Sequence, residues 1–128
     1  MKIEISTGEL VDKVSILAIK LRKIKNPQKL DNINKEYDLL ESAMTKCGIT
    51  ADSSEFRQLE EVNLQLWEIE DRIRIKEAEQ SFDDEFIQLA RSVYFKNDKR
   101  AEIKKEINLK FGSKLVEEKE YTDYKKLQ

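Results

Sequence analysis

The sequence predicts an all-α protein: an antiparallel helical bundle of four main helices, arranged as two hairpins with the second longer, plus a short C-terminal tail. Three observations carry this reading. Charged and hydrophobic residues each make up 39% of the 128 positions, with three glycines and one proline to interrupt them, the profile of long amphipathic helices. Apolar residues recur at steps of three and four along four long stretches. Helix start and stop signals fall between those stretches. The length suits one domain, residues 1–128, with a real core.

The first helix is expected over about residues 7–25. Ser6-Thr7-Gly8-Glu9 reads as a capping box. Leu10, Val14, Leu17, Leu21 and Ile24 form one face, and Val11, Ile16, Ala18 and Ile19 make other sides apolar too, which predicts a central helix or one facing a second subunit. Asn26-Pro27, a cap followed by proline at the first helical position, opens a second helix over about 27–47. Its stripe is Leu30, Ile33, Tyr37, Leu40 and Met44, and Cys47, three further on, reads as a small buried hydrophobe. Gly48 closes it.

The third helix, about 54–79, has Ser53 or Asp52 as cap and Leu59, Val62, Leu66, Ile69 and Ile73 as its stripe. Asn63, Glu70 and Glu77 sit on the shoulder of that stripe, with Trp67 and Arg74 just beyond. A tight turn at Gln80 leads to a fourth helix over about 82–111, with Ser81 as cap and Asp84 as box partner. Its inward stripe reads Phe82, Phe86, Leu89, Val93, then Asn97, Arg100 and Lys104, then Ile107 and Phe111. Three polar residues, two of them cationic, stand where the period demands core. Gly112 ends the helix. The tail, 113–128, carries Leu115, Val116, Tyr121, Tyr124 and Leu127, compatible with a short docking helix or a strap. The second hairpin, about 40 Å long against about 30 Å for the first, overhangs it, so the tail, a partner or a second copy is expected to cover the excess; a homodimer is the expectation.

Composition excludes several chemistries. There is no histidine and one cysteine, which removes His-based triads, His bases and Cys/His zinc sites. The lone Cys47 cannot form an intramolecular disulfide, which fits a reducing cytoplasm. No apolar run approaches the roughly 18 residues of a membrane span, and a carboxylate interrupts the N-terminus at once, unlike a signal peptide. A cytoplasmic location with no membrane partner follows. The net charge of −2 gives no general pull towards nucleic acid, and although Arg91, Lys96, Lys99, Lys105 and Lys110 make one helix basic outside, acids are interspersed and no aromatic ladder marks base stacking.

The candidate site is the polar break between helices three and four. In register, Asn97 falls opposite Asn63, Arg100 near Glu60, and Lys104 near Glu55 and Phe56. Helix three carries a balance of −4 from Glu55 to Glu79, and helix four +4 from Arg91 to Lys110, which supports the pairing. A buried cation is costly without a counter-charge, so a protein carboxylate or an anionic ligand must meet Arg100 and Lys104. As a ligand site the pocket would comprise Asn97, Arg100, Lys104, Asn63, Glu70, Trp67, Arg74 and Tyr94, holding a phosphate or carboxylate by charge-assisted hydrogen bonds. As a structural network the same residues would fix helix register. Glu68-x-x-Asp71 resembles the Mg²⁺ carboxylate pairs of all-helical nucleotide pyrophosphohydrolases, but helix four offers bases where a second acidic pair is needed, so no metal and no cofactor is expected.

A resemblance covers nearly the whole chain. Ser6-Thr7-Gly8-Glu9-Leu10-Val11-Asp12-Lys13, Leu66-Trp67-Glu68-Ile69-Glu70-Asp71-Arg72-Ile73-Arg74, Leu89-Ala90-Arg91-Ser92-Val93-Tyr94 and Asn97-Asp98-Lys99-Arg100-Ala101 resemble segments of domain-of-unknown-function family 6165, continuing through Ile103-Lys104, Ile107-Asn108 and Glu117-Glu118-Lys119. The resemblance implies a small bacterial or phage cytoplasmic protein and brings no activity or catalytic residue. The reading that results is a non-enzymatic, dimeric binding or adaptor protein with an anion pocket between helices three and four, its partner an anionic small molecule such as phosphate or a nucleotide sugar, or another protein. The alternatives are a small enzyme acting on a phosphorylated metabolite or nucleotide sugar, with Glu70 or Asp71 as acid/base and Arg100 and Lys104 holding phosphate, and a purely structural dimeric scaffold.

Overall fold

A computed structural model of the chain describes residues 1–125. Four helices follow in order, α1 (Thr7–Lys23), α2 (Pro27–Lys46), α3 (Ser54–Ala78) and α4 (Asp84–Lys110), and no strand is present among the described residues. The expected all-α bundle of two hairpins is the fold. Leu127 of the tail lies outside the described residues.

Most of the start and stop chemistry is where the sequence puts it. Ser6 Oγ accepts the Glu9 N–H at 3.1 Å, and Asn26 Oδ1 accepts the Gln28 and Lys29 N–H groups at 3.0 and 3.1 Å ahead of Pro27. Gly48 takes φ +88° after α2, letting the Ile49 N–H return to the Met44 carbonyl and driving the Ile49 side chain into the core, fully buried. Gln80 makes the α3–α4 turn with φ 56°.

Three local expectations change. Ser53 precedes α3 but makes no side-chain cap to it; its hydroxyl accepts the Thr50 N–H instead. The cap of α4 is Asp83, whose carboxylate takes the Phe86 N–H at 3.0 Å, while Ser81 donates to Asp83. A carboxylate satisfies the first-turn N–H groups and the helix dipole better than a hydroxyl two residues earlier, so α4 starts at Asp84 and Phe82 is left outside it, 54% exposed. Cys47 is exposed rather than buried, because α2 ends at Lys46 and Cys47 belongs to its C-cap.

The core lies at one end of the molecule. Leu10, Val11 and Val14 of α1 pack with Met44, Ile49, Phe56, Leu59, Val62, Ile103 and Ile107 in one buried cluster. α1 is the central element: its backbone approaches those of α2, α3 and α4, whereas α2 approaches α1 alone. α1 also crosses the second hairpin obliquely. Gly8 sits against Lys104 and Asn108, Asp12 meets both Arg100 and Asn63, and Arg22 reaches Glu60. Over the roughly 15 Å from Asp12 to Arg22, the partner on α3 has barely advanced.

The outer half of the second hairpin therefore projects as a two-helix arm. From Trp67 to Glu102, all described, Lys76 is the one buried residue. At the tip Lys76 Nζ donates to Asp83 at 2.8 Å and Arg72 Nε to Glu85 at 2.8 Å. The segment after α4 is a strap, with no helix through residue 125. Gly112 (φ +62°) turns it back along α4.

Candidate functional site

Arg100 and Lys104 of the polar stripe of α4 face α1, not α3. On α1 the opposing stripe is Gly8, Asp12, Ser15 and Ile19, at the helical steps i, i+4, i+7 and i+11, and all four are buried. Small or polar side chains at three of these positions let the helices approach closely and receive the cations of α4. Asp12, wholly buried, accepts from Arg100 Nε at 2.9 Å and from a terminal guanidinium nitrogen at 2.5 Å, a bidentate pair. Asn63 Nδ2 donates to Asp12 Oδ1 at 2.8 Å and to Ser15 Oγ at 2.9 Å, and the Ser15 hydroxyl donates to the Asp12 carbonyl. The hydrogen bond to Asp12 holds Arg100 above its ordinary pKa against the opposing effect of burial.

One turn along α4, Lys104 is 7% exposed. Its ammonium donates to Glu9 at 2.6 Å and to Glu117 of the strap at 2.9 Å. Desolvation pulls the pKa of Lys104 down, but hydrogen bonds to the two carboxylates outweigh it and the net shift is upward. A further turn on, Asn108 Oδ1 accepts the Gly8 N–H at 2.6 Å, and Ser113 Oγ accepts the Thr7 N–H at 3.1 Å. The first N–H groups of α1, orphans in any helix, are thus satisfied by residues about a hundred positions away.

Both cations point into the protein and meet negative groups there, as burial requires. The partners differ from the expected ones. Arg100 meets Asp12 rather than Glu60, which pairs with Arg22. Lys104 meets Glu9 and Glu117 rather than Glu55, which Lys110 takes. The reason is the oblique crossing of α1, which brings its own carboxylates to the stripe. Two cations face three carboxylates, so both cations are countered from within the chain, and no buried side-chain polar atom among the described residues lacks a partner.

The eight candidate residues divide. Asn63, Arg100 and Lys104 belong to this cluster. Asn97 and Tyr94 line a groove of about 630 Å³ between α4 and the strap, with Ala90, Val93, Tyr121 and Tyr124. Trp67 is half-buried on the arm, and Glu70 and Arg74, exposed, stand 4.0 Å apart as an i,i+4 pair. Glu70 lies seven residues, about 10 Å, beyond Asn63 along α3, so the carboxylates and cations that the enzymatic reading needs do not converge. Glu9 was read from the sequence only as a member of the Ser6 capping box, and Asp12, Ser15, Asn108 and Glu117 were not among the candidate site residues. The signal that finds the α1 residues is a second buried stripe, Gly8-Asp12-Ser15-Ile19, on a helix whose first stripe is purely apolar.

The strap is held by charge at one end and by aromatic packing at the other. Glu117 and Glu118 pair with Lys104 and Lys105. The Tyr124 phenol donates to Asp98, and its ring lies 5.0 and 5.1 Å from those of Tyr94 and Phe95. The hydrogen bond from Lys104 holds Glu117 below its ordinary pKa, and the bond to Asp98 pushes Tyr124 up to about 12. A depressed carboxylate favours the docked strap above its ordinary pKa and loses that effect as pH falls through the docked value. A raised phenol favours docking below its ordinary pKa, 10.0, and loses that effect as pH rises through about 12. The strap is therefore expected to stay docked through neutral pH and to detach at both extremes. Side-chain NMR shifts of Tyr94 and Tyr124 across a pH titration should move together at each limit; shifts confined to Tyr124 would contradict this.

No curated protein and no solved structure matches the chain. A family model described as "Family of unknown function (DUF6165)" matches residues 1–125. With nearly the full length matched, the chain belongs to that family.

Proposed function

We propose that this chain is a non-enzymatic helical binding protein, an adaptor, that presents the arm of its second hairpin to a partner. The observation that carries the reading is the side of that arm that α1 leaves uncovered, with the strap along its α4 edge only. Asn63 and Arg100 face α1. Helical spacing continues the same side of α3 through Trp67, Glu70 and Arg74, and of α4 through Asn97, Val93 and Phe86, beyond the reach of α1. Four of these residues, Trp67, Phe86, Val93 and Asn97, are half-buried, as expected for a face that is only partly covered. Its apolar members, Trp67, Phe86 and Val93, stand among the polar Glu70, Arg74 and Asn97, the mixed character of a surface that meets a partner. The Arg100–Lys104 cluster serves the reading as scaffold: it locks α1 across the base of the arm and holds the arm in place.

A photo-reactive residue placed at Ala90, on this side, and at Gln58, in a groove on another side of the hairpin with Lys99, tests it in cells. Ala90 is expected to yield a crosslinked product and Gln58 none. No product at Ala90, or equal products at both positions, would remove the arm as the working surface.

A further inference from the structure

We infer that the free end of the first hairpin, from Lys20 to Lys29, is a docking surface for an anionic lipid bilayer. The inference does not depend on the arm. It starts from charge. These ten positions hold five bases, Lys20, Arg22, Lys23, Lys25 and Lys29, and no acid, a balance of +5 that leaves −7 for the rest of the chain. The last turn of α1 is basic and the first turn of α2 has no acid. Of the five, Arg22 alone is paired, with Glu60 of α3. The acid that follows in α2, Asp31, is engaged by Lys35. Among the described residues, Lys20, Lys23, Lys25 and Lys29 form no ion pair.

The hairpin gathers these cations. Lys20 lies in the last turn of α1 and Lys29 in the first turn of α2, so all five stand within about 5 Å of the hairpin's end along its axis. Residues 22–29 are exposed apart from Ile24. α2 approaches no helix but α1, which leaves this end a bare knob. Three features select a bilayer among polyanions. Four of the five cations are lysines, point charges that meet phosphate groups in any orientation, where recognition of one planar anion favours arginine. Leu21, Ile24 and Leu30, half-buried, stand among them, so apolar surface lies beside the charges and the lysine stems extend it. Nucleic acid fits less well. No aromatic residue lies within the cluster to stack on a base, and two helices side by side, about 20 Å across, exceed the roughly 12 Å of a major groove. The expectation of no membrane partner rests on the lack of an apolar span; contact at the headgroups needs none. The acidic remainder of the chain is repelled by the same surface, so the knob is the part that lands on it.

The test is sedimentation of the full chain with vesicles at low salt, one set of pure phosphatidylcholine and one with about a third phosphatidylserine. Each unpaired lysine near an anionic bilayer contributes about fivefold to binding, so half of the chain is expected on the acidic vesicles at about 1 mM lipid. None is expected on the neutral vesicles, and added salt should release the bound chain. Lys20→Gln, Lys23→Gln, Lys25→Gln and Lys29→Gln together should lower binding more than about tenfold. The same change at Lys2, Lys46, Lys99 and Lys114, exposed and unpaired elsewhere, should lower it by no more than about threefold. All eight side chains reach solvent, so circular dichroism should show the fold retained in both variants. No binding to the acidic vesicles at about 5 mM lipid overturns the inference. Equal binding to both vesicle types, equal losses in the two variants, or a short DNA duplex bound more tightly than the acidic vesicles at the same salt does so too. Each of these leaves the arm reading standing, since that reading is decided by the crosslink at Ala90.

Discussion

Gly8→Ala is expected to lower stability by about 3 kcal/mol, a large cost for adding one methyl group. A Cβ at this position would land on the carbonyl oxygen of Lys104 and 3.0 Å from Asn108 Oδ1. The first of these atoms is backbone inside α4 and cannot rotate away. α1 would have to lift, which stretches the Gly8–Asn108 hydrogen bond and loosens the Asp12–Arg100 pair one turn on. Elsewhere in a helix the same change stabilises, since alanine is the better helix former, so the sign itself is diagnostic. Urea denaturation followed by circular dichroism measures it. A variant as stable as the parent would mean that α1 and α4 do not approach as closely as described.

Removing one side of the buried pair should cost as much or more. Arg100→Ala leaves Asp12 charged and wholly enclosed, with Asn63 as its one remaining side-chain donor; a loss of about 3–5 kcal/mol is expected. Asp12→Ala strands the guanidinium, but Arg100 keeps some solvent access, so its loss should be the smaller of the two. Replacing both at once, Asp12→Leu with Arg100→Met, removes two desolvated charges together and should recover most of the stability. Measured with the matching single variants Asp12→Leu and Arg100→Met, the double-mutant cycle separates a structural lock from a ligand site. Recovery in the absence of ligand marks the pair as scaffold. No recovery, with a melting temperature that phosphate raises in the parent alone, would return Arg100 to a binding role.

Much of the fold was legible because helix-scale signals are local. The stripes of α1 and α3, the Asn26-Pro27 boundary and the Gly48 stop each depend on neighbours within a turn. The misplaced start of α4 shows how competing caps blur a boundary: Ser81 and Asp83 both qualify, and the carboxylate wins. The inward direction of Arg100 and Lys104 followed from the period alone. Their partners did not, because a period says which side of a helix is buried and not which helix lies against it. Adjacent helices were expected to pair in register, so acids of α3 were assigned to bases of α4. The oblique path of α1, which overrides that, depends on Gly8 meeting Lys104 and Asn108 about a hundred residues away, and no local pattern encodes a contact of that kind. The strap was equally out of reach, since two glutamates and a tyrosine in an unpatterned tail do not show which lysines and aromatics they will meet.

The capping of α1 by Asn108 and Ser113 has a consequence for synthesis. Helices α1 and α2 leave the ribosome before α3 and α4 and can form a hairpin early, but the start of α1 stays open until α4 and the residues just after it have emerged. Its amide groups wait for partners made later, so the emerging chain must keep that end of the helix available while about a hundred intervening residues are added. Closure joins segments made about a hundred residues apart. Contacts of such long range slow the search for the native state.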